Sequence, residues 1–293
     1  MNLNRYEIFL KVAEIGNITR AAEILNYTQA GISHAISALE KEAGVTLLIR
    51  SSNGVTLTDN GLRLIAPIQA LVNEQHNLTQ TIYEINNVVA GTLKIGIFTS
   101  ISTWFPSVMK GFHNLYPDTR FELFSGDYDD ITDNIISGRI DCGFLSTSVT
   151  SVDKGLLFTP VYDDPMLVLM PPSHPLTTKE ALSIDDIKNE SFILPSKGSD
   201  NDILAVLKSM EHNINARYIL NDEFSVMSMV AGGFGITIMP ELIYQNFKLN
   251  LVARPLMPKS HRTIGVASLP SNKISILTRT FIKYLADTGF SFK

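Results

Sequence analysis

Apolar positions in the first forty residues recur at helical spacing in three short runs: Leu3, Tyr6, Phe9, Leu10 and Ala13; then Ile18, Ala21, Ala22 and Leu25; then Ile32, Ile36 and Leu39. Each run predicts a helix with one apolar stripe, and three such stripes suffice for a small core. Asn17 and Thr28 stand where N-caps would open the second and third helices. Only Asn26-Tyr27 lies between those helices, so the pair predicts a helix-turn-helix. Beyond Gly44 the segment VTLLIRSSNGVTLT is rich in β-branched residues and carries Asn53-Gly54, the signature of a type I′ hairpin. A β-hairpin, or wing, is expected after the helices.

From Leu64 the pattern changes. Leu64, Ile68, Leu71, Gln75, Leu78, Ile82, Ile85 and Val89 are spaced alternately four and three apart, a heptad seam with one polar interruption. Such a helix calls for a partner helix. A helix that packs its stripe on its own domain is the alternative, because Gln75 breaks the seam. Pro67 costs about 3 kcal/mol inside a straight helix, so a kink or a restart is expected there.

Beyond Gly91 apolar strands alternate with helical stretches: LKIGIF, a helix from near Trp104 through Phe112, RFELF, a helix near Ile131 to Ile136, and DCGFLS. The alternation recurs after Val161 with MLVLM, SFILP, a helix around Ile203 to Met210, ARYIL, FSVMSMVAG, GITIM, TIGVASL and a closing helix. The pattern predicts parallel α/β structure in two lobes. Return of the last strand and helix to the first lobe would give two crossovers, with a hinge near Val161 and Ile264.

Composition narrows the function classes. The chain has 293 residues, 45% of them hydrophobic and 18% charged, with a formal net charge of -5. That is enough apolar material for two cores and excludes a disordered tail. Residues 1 to 58 carry five basic and five acidic side chains and are neutral, so the acidity lies beyond them. The one cysteine, Cys142, cannot form an intramolecular disulfide, and the histidines make no HExxH or Cys/His cluster, so neither a structural zinc nor another metal or cofactor is expected. Arg5, Glu7, Lys11 and Glu14 interrupt every apolar run at the N-terminus, which argues against a signal peptide. The longest uncharged stretch, Phe224 to Pro240, holds three glycines and ends in proline, unlike a membrane span. A cytoplasmic protein without a membrane role is expected.

The sequence resembles the LysR-type transcriptional regulators. Phe9, Ala13, Ala21-Ala22, Leu25, Gln29, Ser33, Ile36, Leu39-Glu40, Gly44, Leu47, Arg50, Leu57-Thr58 and Gly61 carry the specific part of the resemblance. Leu93 to Gly96, Tyr116-Pro117, Asp141, His174 to Leu176 and Val230 to Pro240 carry a more diffuse part. The resemblance implies an α/β protein with an all-α N-terminal part. Its parts are a winged helix-turn-helix DNA-binding domain (1–58), a linker and dimerisation helix (59–90), and a two-lobed effector domain similar to periplasmic binding proteins (91–293). Lobe 1 is expected at about 91–161 and 265–293, and lobe 2 at about 162–264. The implied partners are double-stranded DNA bearing an interrupted inverted repeat, a small-molecule effector, a second copy or three further copies of the chain, and RNA polymerase as a further candidate.

The chemistry of the residues agrees with that resemblance. If Ile32, Ile36 and Leu39 face the core, Gln29, Ala30, Ser33, His34 and Ser37 share the opposite face, behind the Thr28 cap. Gln can bond an adenine edge bidentately, Ser33 a base or phosphate, and Ala30 a thymine methyl. Taken alone, these residues are equally compatible with an ordinary solvated face; Arg50 and Asn53 in the wing complete the DNA-binding set by resemblance. Position 30 is often proline in the family and position 34 often arginine, while Asn53 replaces the wing's second basic residue. Each change removes rigidity or charge. Electrostatic affinity per protomer is then modest, and oligomerisation through Leu64, Ile68, Leu71, Leu78, Ile82 and Ile85 must supply the rest.

In the second domain Thr99, Ser100 and Ser102 follow a strand and precede a helix, a place where hydroxyl and backbone donors can hold an anion. Capping of the helix by Ser102 or Thr103 is the plain alternative. The resemblance adds Ser146, Thr147, Ser196 and Phe224 to the expected effector site, and Lys197 is either a neutralising cation or a surface residue. A small anionic metabolite is expected there. A solute-binding sensor without a DNA role would leave residues 1 to 58 unexplained, and an enzyme using the cleft finds no GxSxG, Walker loop, complete GxGxxG or metal spacing.

Overall fold

A computed structural model describes residues 3–51, 54–86, 88–146, 155–196, 201–209 and 216–288. The chain forms two compact units, residues 1–86 with 137–139 and residues 87–136 with 140–293.

In the first unit α1 (Leu3–Ile15), α2 (Ile18–Leu25) and α3 (Gln29–Ala43) bury Phe9, Val12, Ala21, Ile32 and Ile36 completely. The expected caps are present: Asn17 accepts from Arg20 N at 3.0 Å and Thr28 Oγ1 from Gly31 N at 3.0 Å. Asn26 takes the left-handed conformation (φ 56°), and the chain reverses in two residues because a short polar side chain tolerates that geometry. A hairpin of β1 (Leu48–Ser51) and β2 (Gly54–Leu57) follows, with Arg50 opposite Val55. Glu40 Oε1 accepts from the amides of Leu47 at 2.8 Å and Leu48 at 3.2 Å, tying the hairpin to α3. Gly61 must be glycine, because a Cβ there would lie 2.2 Å from the Leu47 carbonyl oxygen.

The linker helix α4 (Asp59–Ile85) runs through Pro67 without interruption, so the expected restart is absent. Its seam divides. Ile68 is buried and Leu64 half-buried against the core of α1 to α3, together with Ile65 and Val72. These two positions therefore pack within the N-terminal unit, which corrects their place in the expected dimer seam. Leu71, Leu78, Ile82 and Ile85 are exposed.

The second unit is built on a mixed sheet ordered β4-β3-β5-β12-β6-β11-β7, with β10 also paired to β6. The strands are β3 (Gly91–Ile97), β4 (Thr119–Ser125), β5 (Cys142–Ser146), β6 (Leu157–Met170), β7 (Leu182–Ser183), β10 (Thr237–Pro240), β11 (Val252–Met257) and β12 (His261–Ser268). A second pair, β8 (Phe192–Pro195) with β9 (Ala216–Leu220), is parallel. The expected parallel pairing holds for β3 with β4 and β5, β7 with β11 and β8 with β9, and is corrected at the two long strands: β6 pairs antiparallel with β10, β11 and β12, and β12 with β5. A strand that crosses from one lobe to the other and another that returns necessarily run in opposite directions. Their register slips between Ile264, opposite Tyr162, and Gly265, opposite Pro160.

Three apolar cores surround this sheet. One joins Ile95, Phe105, Phe112, Phe144 and Val266 to Leu277 and Phe281 of α11 (Ile276–Thr288), with α5 (Phe105–Leu115) and α6 (Tyr128–Ile136) covering it. The others lie around Met166, Phe192 and Ile203 and around Leu169, Val226 and Met239. They are formed with α7 (Ile184–Ile187), α8 (Asn201–Ser209), α9 (Glu223–Ala231) and α10 (Glu241–Asn246). Short strands β7 and β11 and helix α10 have no counterpart in the expected element order.

Candidate DNA-binding face and interlobe cleft

On α3 the buried stripe of Ile32, Ile36 and Leu39 turns Gln29, Ala30, His34 and Ser37 to solvent, with Ser33 half-buried between them. Thr28 is exposed at the helix start, where its hydroxyl is occupied as the cap. Arg50 of β1 extends from the wing to this face, its Nη1 lying 3.5 Å from Ser33 Oγ. The arrangement places a carboxamide, two hydroxyls, a small methyl side chain, an imidazole and a guanidinium on one exposed surface. These groups can read base edges and meet phosphate. Asn53 lies outside the described residues.

In the second unit a cleft of about 390 Å³ opens beyond the C-terminal ends of β3 and β4, where ligands commonly sit in open α/β sheets. Its wall is made by Phe98 to Ser100, Ser125 to Tyr128, Asp202 and Ile203, Asn221 to Glu223, Met239, Pro240, Ile243 and Arg262. Thr99 and Ser100 lie there as expected, within a 3-10 turn over Thr99–Ile101. Ser102 and Phe224 do not line it, and neither does Ser196, whose amide donates to the Leu220 carbonyl at 2.7 Å. Phe224 instead packs its ring on Phe247, with centroids 5.3 Å apart. Neither Ser102 nor Thr103 caps α5, whose N-cap is Trp104 without a side-chain cap bond. Thr147 and Lys197 lie outside the described residues.

The centre of the cleft is a buried polar network around Arg262, a residue without a place in the expected site. Arg262 stands directly opposite Asp164 in the β12–β6 register. Its Nε and Nη2 donate to Asp164 Oδ2 at 2.9 and 2.7 Å, Nη2 also to Ser100 Oγ at 2.6 Å, and Nη1 to Asp202 Oδ2 at 2.7 Å and Tyr128 OH at 3.1 Å. Asp202 in turn accepts from Tyr128 OH and from Ser146 Oγ, each at 2.9 Å. Ser146 is thus joined to this network through Asp202, without lining the cleft.

Burial pushes the Tyr128 phenol far up, so it remains a donor. Burial alone would lower Arg262, but Tyr128, Asp202 and Asp164 outweigh it and hold the guanidinium above its ordinary range. Asp164 is raised, burial outweighing the guanidinium and the Leu242 amide that donates to it at 3.0 Å. The guanidinium stays charged, and each of its donor nitrogens is engaged within the protein. Sequence reading missed Arg262 because a lone arginine beside an apolar strand reads as an edge residue. The available signal was its conjunction with Asp163-Asp164, which lie within the other crossing strand, β6.

Among the described residues no group of three or more His, Cys, Asp or Glu could hold a metal. Cys142 is fully buried in β5, and burial, then Asp141, pushes its thiol well up, the opposite of a reactive thiolate. No described helix is long and apolar enough to cross a membrane.

The comparisons with known proteins follow the same division. The family model described as "LysR substrate binding domain" matches residues 86–289, and that of the "bacterial regulatory helix-turn-helix protein, lysR family" matches residues 3–62. A similar curated protein is the HTH-type transcriptional regulator YvbU of Bacillus subtilis, 26% identical over 287 residues that cover 97% of each chain. Among solved structures, a full-length OxyR variant from Pseudomonas aeruginosa superposes with a TM-score of 0.72 at 23% identity, covering 98% of this chain and 94% of that one. Full-length CbnR in complex with its target DNA superposes at 0.71 with 16% identity, covering 99% and 100%. At these identities the two structures show the fold alone.

Proposed function

The chain belongs to the LysR family of transcriptional regulators, with a DNA-binding helix-turn-helix and an effector-binding domain, and from that premise we propose how its own residues divide the work. It is a regulator and not an enzyme, as its relatives are. The division assigned is DNA binding by residues 1–58, linkage and dimerisation by 59–90, and effector binding by 91–293.

DNA recognition falls to Gln29, Ala30, Ser33, His34 and Ser37, with Arg50 on phosphate or in the minor groove. The observation that supports this is the approach of the wing's Arg50 to Ser33, which makes the exposed row of α3 and the hairpin one surface. Two such surfaces, brought together by Leu71, Leu78, Ile82 and Ile85, suit an interrupted inverted repeat in cytoplasmic DNA. A homodimer is the least assembly that provides them; pairing into a tetramer and contact with RNA polymerase extend the same reading.

The cleft takes a small metabolite bearing one carboxylate. Arg262, Tyr128 and Ser146 already converge on a carboxylate, that of Asp202, which supports an anionic group at this position. Asp127, Asp222 and Glu223 on the wall disfavour a second anionic group on the same ligand. Ligand binding then changes the balance of lobe arrangements and so the spacing or bend of the bound half-sites. The test is selection of bound sequences from random DNA, followed by footprinting with and without a panel of carboxylates. Recovery of an inverted repeat whose footprint changes with a monocarboxylate is expected.

A further inference from the structure

The two carboxylates on Arg262 are not equivalent. Asp164 is the cross-strand partner, contacts Nε and Nη2, is fully buried, and does not line the cleft. It balances the guanidinium within the sheet itself. Asp202 comes from the first turn of α8, lines the cleft, and spends its other hydrogen bonds on Tyr128 and Ser146, which belong to α6 and β5 of the other lobe. Its side chain is only 7% exposed. One arginine facing two buried carboxylates leaves an excess negative charge where desolvation is costly, and neutrality does not require Asp202. Something other than charge balance keeps it there.

We propose that Asp202 is a built-in occupant of the effector's carboxylate subsite, holding α8 to the opposite lobe until an effector carboxylate displaces it. The proposal rests on the reading of the cleft as the effector site. Displacement exchanges one carboxylate for another on Arg262, Tyr128 and Ser146, so those three donors are satisfied in both states. What changes is the tether, because Asp202 moves to solvent and the first turn of α8 is released. Ile203, Val206 and Leu207 of that helix are buried in the core around Phe192, so its movement is transmitted into the packing of the second lobe. Two states of nearly equal hydrogen bonding differ little in free energy, which lets a weakly held metabolite shift their populations.

The experiment uses the full-length protein, wild type and Asp202→Ala, titrated with sodium acetate against sodium chloride and acetamide as controls. In Asp202→Ala the subsite is vacated with its donors intact. Acetate, and neither control, is expected to raise the thermal midpoint of the variant by about 2 to 4 °C and that of wild type by less, since there Asp202 competes for the same donors. An equal response in both proteins, or none in a variant shown to be folded by circular dichroism, overturns the proposal. Should Asp202→Ala not fold, Asp202→Asn keeps the shape and removes the charge. Its amides at 126–132 and 201–208 are expected to exchange hydrogen about tenfold faster than wild type, since a lost tether opens both sides. Unchanged exchange there overturns the proposal as well. Footprinting on a selected operator then separates the two levels. Wild type that selects no sequence defeats the regulator reading, whatever acetate does. Wild type that selects one, beside an acetate-responsive Asp202→Ala with the wild-type footprint, defeats the tether.

Discussion

Arg50 Nη1 and Ser33 Oγ lie 3.5 Å apart, joining the wing to the exposed row of α3. At that distance the contact is weak, and the guanidinium, exposed on β1, keeps most of its donors for a partner. Arg50→Ala is therefore expected to lower DNA affinity nearly uniformly across sequences and to reduce the slope of log affinity against log salt by about 1. Fluorescence anisotropy over a salt series measures it; an unaltered slope would assign Arg50 to the protein alone.

Gln29 stands one residue inside the Thr28 cap, exposed and clear of the buried stripe. Gln29→Ala is expected to cost about 1 to 3 kcal/mol of specific binding and to leave nonspecific binding nearly intact. Competition between the selected operator and unrelated DNA reads the ratio directly. Equal loss on both would mean that Gln29 positions the helix without reading a base.

The N-terminal elements were legible because each carries its own local signal: a cap at Asn17, another at Thr28, and short stripes with one outlet. The Asn53-Gly54 signal announced the hairpin but not its register, since Gly54 of β2 already pairs with Ser51 and Asn53 lies outside the described residues. The seam on α4 was legible only in part. Heptad spacing identifies a face that needs covering, but Ile68 finds that cover against α1 to α3 while Leu78 does not, and spacing alone cannot tell the two apart. The cleft was least legible. Ser100, Tyr128, Asp164, Asp202 and Arg262 are up to 162 residues apart in sequence and meet because β6 and β12 cross between the lobes. No local pattern announces such a meeting.

That division of α4 gives a paired test. Leu71→Asp with Leu78→Asp places charge on exposed positions, so the chain is expected to fold and sediment as a smaller species. Ile68→Asp places it in the N-terminal core and is expected to unfold that unit. Sedimentation and circular dichroism together distinguish them. Unchanged sedimentation of the double variant would remove the exposed seam from the assembly.

Acid sensitivity has one well-defined contributor away from the cleft. The Lys179 ammonium, then the Ser183 amide and hydroxyl, hold the Asp186 carboxyl down at about 2. A folded pKa below the unfolded value means that the unfolded chain takes up the proton first on acidification. The stabilisation is full above about pH 4 and is lost as pH falls towards 2. Asp186→Asn is expected to lower the thermal midpoint at pH 7 and to make no difference near pH 2. A variant with the same deficit at both pH values would point to lost capping of α7 instead of charge.

The pairing of Arg262 with Asp164 gives the largest expected effect on stability. Both side chains are buried, and Asp164 depends on the guanidinium and the Leu242 amide to offset its desolvation. Arg262→Ala leaves two carboxylates facing a cavity and is expected to cost about 3 to 5 kcal/mol. Because burial already raises Asp164 above its ordinary value, loss of the cation raises it further. The folded state then binds protons more tightly than the unfolded chain, so the variant gains stability as pH falls from neutrality towards 5, where wild type gains less. Asp164→Asn added to Arg262→Ala removes one buried charge and should recover about 1 to 3 kcal/mol of the loss, the coupling of a contacting pair. Urea unfolding of wild type, Arg262→Ala, Asp164→Asn and the double variant at pH 7 and pH 5 measures both effects. Additive losses in the double variant, with no difference between the two pH values, would mean that Asp164 is not sustained by Arg262.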